Sequence, residues 1–139
     1  MSQEIRLSPD SERALAEAQA FCTRANVAIV GAEHLLAGAL AVLSDGGNNA
    51  VPGRARVEAA LMLAQGSGDS AHTNQVMFGS GARDAINATA RTVGEAGGTL
   101  IDAATLALGT IDSGAVNPTF YGSLGMARAM LRATIHAAR

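Results

Sequence analysis

Lysine and tryptophan are absent from this chain of 139 residues, and cysteine occurs once, as Cys22. Without lysine there is no Schiff-base amine, no lysine general base and no P-loop lysine for a nucleotide phosphate. One cysteine excludes an internal disulfide framework, so stability does not depend on an oxidising compartment. Aromatic residues make up only 3% of the chain. Its core must therefore be aliphatic, and alanine-rich helices bury little area per residue. Charged residues are 16% and the formal net charge is −2, which excludes affinity built on neutralising phosphates and with it a nucleic-acid partner. Every basic residue is an arginine, a bias that GC-rich coding explains without any functional cause. The start, MSQEIRLSPDSER, is polar where a signal peptide needs an apolar run. No stretch approaches the length of a membrane span. These absences predict a cytoplasmic protein with no membrane association.

What the chain has is helical periodicity. At 139 residues and 48% hydrophobic content it can bury one compact core. Ser8 reads as a helix N-cap, Pro9 suits the first turn, and Asp10 and Glu12 favour the positive end of the helix dipole. Ala14, Leu15, Ala18, Phe21, Cys22 and Ala25 then form one apolar face. A second helix runs from about Gly31 to Leu43 and a third from about Arg54 to Gln65, with Val57, Leu61 and Ala64 inward and Gly66 as its stop. Residues 66–77 read as a linker, after which a long helix covers about Ser80 to Ala96. Asp102 caps a further helix carrying Leu106, Ala107 and Ile111. A Gly/Pro loop from Asp112 to Tyr121 precedes a last helix with Met126, Met130, Leu131 and Ile135 inward. No segment shows the period-2 alternation of a strand. The expected class is all-α.

The pattern repeats. Residues 7–41 lie over residues 78–112 without a gap, at an offset of 71. Ala14, Ala25, Ala32, Leu35 and Gly38 match Ala85, Ala96, Ala103, Leu106 and Gly109, while Leu15, Ile29 and Val30 meet Ile86, Leu100 and Ile101. Each half is too small to bury its own apolar face. The halves are therefore expected to share a core around a pseudo-twofold axis, as one domain over 1–139 with repeat one at about 7–65 and repeat two at about 78–137.

Ala18-Gln19 followed by Val30-Gly31-Ala32-Glu33-His34-Leu35-Leu36 resembles the repeat of Clp ATPase N-terminal domains, in which an Ala-Gln-rich helix precedes Ile-Gly-Thr-Glu-His-Leu-Leu. Residues 78–112 resemble the second copy. The resemblance implies a compact bundle of two pseudo-symmetric repeats that receives adaptors or substrates for an unfolding ring. In some relatives it holds phosphoarginine or cyclic peptides at the repeat junction. No G-x-x-x-x-G-K-[ST] ATPase motif occurs in these residues, so the expectation is a free-standing, non-enzymatic binder that needs no cofactor. It would act as an adaptor or decoy for a Clp protease system, as a monomer or weak dimer. The alternatives are a structural or oligomerisation subunit, or a fragment of a longer Clp ATPase.

The resemblance also implies site residues. Glu33 stands where relatives pair a carboxylate with the guanidinium of phosphoarginine. The residue by itself reads first as helix-capping or solvated, and its second-repeat counterpart is Ala104. Adjacent side chains on a helix diverge by about 100°, so one of Glu33 and His34 is expected inward and the other outward, with His34 as a hydrogen-bonded packing residue. Gln19, Phe78 and Arg83 match the region where relatives hold peptides, and Ser8 joins this set; Phe78 reads equally as a hydrophobic staple. Cys22 lies on an apolar face opposite Val93 in the repeat, which favours a small buried hydrophobe over a nucleophile. His34, His72 and His136 show no metal-ligand spacing. Met62, Met77, Met126 and Met130 read as core filler.

Overall fold

The computed structural model describes residues 5–65 and 77–137. The linker read at 66–77 therefore lies outside the described residues except for Met77, as do Gly66 and His72. The elements in order are β1 (Arg6–Leu7), α1 (Pro9–Arg24), β2 (Ile29–Val30), α2 (Ala32–Asp45), α3 (Arg54–Gln65), β3 (Met77–Phe78), α4 (Ser80–Glu95), β4 (Leu100–Ile101), α5 (Ala103–Asp112), α6 (Pro118–Leu124) and α7 (Arg128–Ala137). The first helix begins as its sequence dictates. Ser8 is extended, its hydroxyl accepts from the Ser11 amide, and Pro9 follows at the start. The fifth is capped by Asp102, which accepts from Thr105 N at 2.8 Å.

The 71-residue offset holds for every matched element. Adding 71 to the bounds of β1, α1 and β2 gives those of β3, α4 and β4, and α2 and α5 start 71 residues apart. The halves are bound together by exchange of strands. The two strands that open the repeats each pair, in parallel, with the inner strand of the other repeat: Arg6 with Leu100 and Leu7 with Ile101, then Ile29 with Met77 and Val30 with Phe78. The flanking bonds obey the same offset, Ser8 N to Ile101 O at 2.9 Å and Gly79 N to Val30 O at 2.9 Å. A pairing that survives exchange of the halves is what a pseudo-twofold arrangement requires. The strands themselves were not expected, because two residues are too short to display a period of two.

At the centre, α2 is buried over all of Ala32 to Val42 and packs on α1, α3, α4 and α5. Leu35, Leu36, Leu40, Leu106, Ile111, Leu131 and Ile135 are fully enclosed, each contributing about 1.5–3 kcal/mol by leaving water. The fold is an all-α bundle with two similar helix pairs, α1–α2 and α4–α5.

The third parts of the repeats differ. Repeat one closes with the single helix α3. In repeat two, the end of the stretch expected as a loop runs into a helix, α6: Asn117 accepts from Thr119 N, Pro118 opens the helix, and Gly125 ends it in the left-handed region at φ 79°. The Arg56 guanidinium of α3 donates to Leu124 O at 2.9 and 3.2 Å, capping this short helix from across the fold. Met130 points to solvent rather than inward, and Met62 and Met77 are also exposed, while Met126 is half-buried. Three of the four methionines are thus not core filler, because α3, β3 and α7 are outer elements.

Candidate functional site

The exchange of strands creates two junctions related by the repeat, each placing the first turn of one helix beside the N-terminus of another. They are chemically different. At the first, β1 lies on β4 and the start of α1 meets the start of α5. Ser11 Oγ donates to Ile101 O at 2.5 Å, the Ser8 hydroxyl donates to the Asp10 carboxylate, and Asp10 Oδ2 accepts from Ala103 N at 3.4 Å. A carboxylate at the N-terminus of α5 is favoured by the helix dipole, by about 0.3–1 kcal/mol. This junction is filled by its own side chains.

At the second, β2 lies on β3 and the start of α4 meets the start of α2. The residues 71 positions on from Ser8, Asp10 and Ser11 are Gly79, Gly81 and Ala82. None carries a side chain able to accept a hydrogen bond. A Cβ placed on Gly81 would touch Ala115 Cβ at 3.9 Å and Ala32 N at 4.0 Å, and Gly81 sends no carboxylate to that amide as Asp10 does to Ala103. Gly79 has a separate reason to be glycine, since a Cβ there would fall 2.6 Å from Ile29 Cγ2. The N-cap of α2 is Gly31, which has no side chain, and its own amide donates to His34 Nδ1 at 3.0 Å.

Glu33 and His34, in the first turn of α2 at this junction, are both buried, at 9% and 4% exposure. The expectation that one points inward and one outward does not hold, because the connection before α6 folds back over the start of α2. Glu33 Oε1 accepts from Asn117 N at 2.7 Å across 84 residues. Burial holds the His34 imidazole below its ordinary range, with the Glu33 charge acting in the opposite direction. Nearby, the hydroxyl of Tyr121 is buried with no hydrogen-bond partner of good geometry among the described residues, and burial pushes that phenol upward against the pull of Arg128. No signal in the sequence linked Tyr121 or Asn117 to this place.

The residues singled out by resemblance divide between the junctions. Phe78, half-buried in β3 and paired with Val30, and Arg83, exposed on the first turn of α4, lie with Glu33 at the second junction. Ser8 is buried at the first as part of its internal hydrogen-bond network. Gln19 is half-buried midway along α1. Cys22 is fully enclosed, and burial pushes its thiol up to about 12. Among the described residues no three His, Cys, Asp or Glu side chains converge as metal ligands, and no helix is long and apolar enough to cross a membrane.

No protein-family model and no curated protein sequence matches the chain. Among solved structures, it is similar to the N-terminal domain of the caseinolytic protease associated chaperone ClpD from Arabidopsis thaliana, with a TM-score of 0.71 and 16% identity over 95% of this chain and 93% of that one. The fold is that of a Clp-N-type repeat domain.

Proposed function

We propose that the chain is a non-enzymatic recognition domain that binds protein or peptide ligands at the second junction, in service of a Clp-type unfolding or proteolytic system. One observation carries this reading. Asp10 places a carboxylate against the N-terminus of α5, whereas Gly81 places none against the equivalent N-terminus of α2. A helix N-terminus that lacks such a carboxylate favours an anionic group, and the Glu33 carboxylate beside it suits a guanidinium. A phosphoarginine side chain carries both. Phe78 in β3 and Arg83 on the first turn of α4 belong to the same junction, where a peptide backbone or a cyclic peptide would rest. In the cell the domain acts as an adaptor or decoy.

The test copies one repeat into the other. Amide spectra of the labelled chain are followed during titration with a phosphoarginine peptide and its arginine counterpart. The phosphorylated peptide is expected to shift Gly31, Ala32 and Gly79, and Gly81→Asp is expected to abolish the shifts by supplying the missing carboxylate. Equal response to both peptides, or unchanged binding by Gly81→Asp, would refute the site. A panel of phosphoarginine and cyclic peptides that leaves the spectrum unmoved would refute the ligand class.

A second reading has its own support. Ile29 and Met77 face each other in register and are 58% and 68% exposed, an apolar pair suited to self-association. Light scattering across a concentration series decides it: a constant monomer mass removes an oligomerisation role.

A further inference from the structure

A cleft of about 230 Å³ lies between α4, α5 and α7, away from the second junction and independent of the reading above. The repeat explains why it exists. In repeat one the α1 side chain at this position is Phe21, which is buried, and α3 is held to α1 by ion pairs of Arg24 with Glu58 and Arg54 with Glu17. In repeat two the counterpart of Phe21 is Thr92, which is exposed, and the counterpart of Glu17 is Ala88. The space a phenyl ring fills in one half is open in the other.

Its chemistry is amphiphilic. Leu108 and Ala88 supply an apolar wall and Thr89 and Thr92 supply hydroxyls, each already donating to a backbone carbonyl of α4 and so left with acceptor capacity only. Asp112 is the one carboxylate among the lining residues. It is taken by the Arg132 guanidinium, with Nε and Nη2 at 2.7 and 3.0 Å, and Arg128 stands 3.8 Å from the same carboxylate. Two guanidinium groups against one carboxylate leave an excess of positive charge. Arg132 Nη1 has no hydrogen-bond partner among the described residues, and His136 follows one helical turn later on the same side of the cleft. A ligand that complements this edge is an anion with a small apolar body. The volume is below the roughly 300–1,000 Å³ of pockets for drug-sized ligands, which suits the end of a chain.

We infer that this cleft binds the C-terminal residue of a peptide, its carboxylate at the Arg132 and His136 edge and an aliphatic side chain against Leu108 and Ala88. The experiment titrates the labelled chain with acetyl-Ala-Ala-Leu as the free acid, as its C-terminal amide, and with N-acetylleucine. The acid is expected to bind at least about tenfold tighter than the amide, as loss of a charge-assisted contact requires, with shifts on α4, α5 and α7 rather than at Gly31 and Gly79. Thr92→Phe, which restores the repeat-one residue at an exposed position, and Arg132→Gln are each expected to weaken the acid by a similar factor. Equal affinity for acid and amide overturns the proposal, as does full binding by Thr92→Phe or no shift at millimolar peptide. N-acetylleucine binding as tightly as the tripeptide overturns the peptide as occupant.

Discussion

Gly38 lies directly against the backbone of Ala14: a Cβ placed on it would stand 3.0 Å from Ala18 N and closer still to the Ala14 carbonyl oxygen. The α1–α2 crossing is set by that contact, and the α4–α5 crossing by its counterpart, Gly109 against Thr89. The two obstacles differ in kind. Around Gly38 they are backbone atoms, which cannot step aside without moving a helix, whereas around Gly109 the three nearest atoms all belong to the Thr89 side chain.

Gly38→Ala is therefore expected to cost about 2–3 kcal/mol, at the upper end for overpacking, and no single side-chain truncation should rescue it. Gly109→Ala is expected to cost less and to be largely rescued by Thr89→Ala, which reproduces the Ala18 of repeat one. Urea midpoints of the two single variants and the double variant decide the point. If Gly109→Ala costs the same with and without Thr89→Ala, the crossing is limited by something other than that side chain.

The crossing glycines illustrate which parts of the fold were legible in advance. Gly38 and Gly109 matched in the gapless alignment, and the helix starts at Ser8 and Asp102 followed from capping chemistry. Those features are local or repeated, so one sequence displays them twice. The short strands were hidden because two residues carry no period, and α6 because seven residues bounded by Asn117-Pro118 and Gly125 resemble a loop by composition. The substitution of Gly81 for Asp10 was visible in the alignment. Its meaning was not, because it depends on β1 lying on β4 and β2 on β3, a pairing between residues far apart in the chain.

The Glu33–Asn117 bond is another contact of that kind, and it separates a structural from a binding role. Glu33→Ala leaves the Asn117 amide unpaired, at a cost of about 1–3 kcal/mol, while Glu33→Gln retains an acceptor oxygen. Hydrogen exchange at the Asn117 amide is expected to speed up strongly in the alanine variant and little in the glutamine variant. Similar protection in wild type and Glu33→Ala would show that the bond does not hold α6 to α2. Glu33→Gln is for this reason the variant to use when ligand binding is measured.

Cys22 is enclosed on the core face of α1, and its thiol donates to Ile29 O at 3.7 Å. With the thiol pushed up to about 12 from an ordinary value of 9.0, the folded chain keeps its proton where the unfolded chain releases it. This contribution to stability is complete below pH 9 and is lost as the pH rises toward 12. Native protein at pH 8 is expected to resist iodoacetamide and to be labelled at once in urea. Cys22→Val, which copies Val93, should flatten the alkaline fall in the urea midpoint. Rapid labelling of native protein would contradict the burial.

His34 produces the opposite dependence on the acid side. Burial lowers its pKa, with Glu33 partly offsetting the effect, and its Nδ1 must stay unprotonated to accept from Gly31 N. An unfolded histidine takes up a proton near pH ~6.5, whereas the folded one resists until lower pH. The stabilisation is therefore whole above that value and declines as pH falls through the folded pKa. His34→Thr, which places the Thr105 of repeat two in repeat one, removes the titrating group. Urea midpoints at pH 7.5 and 5.5 are expected to differ clearly in wild type and by less in the variant, whatever its absolute stability. Parallel pH dependences in the two proteins would mean that acid sensitivity arises elsewhere and that the Gly31–His34 bond tolerates a protonated ring.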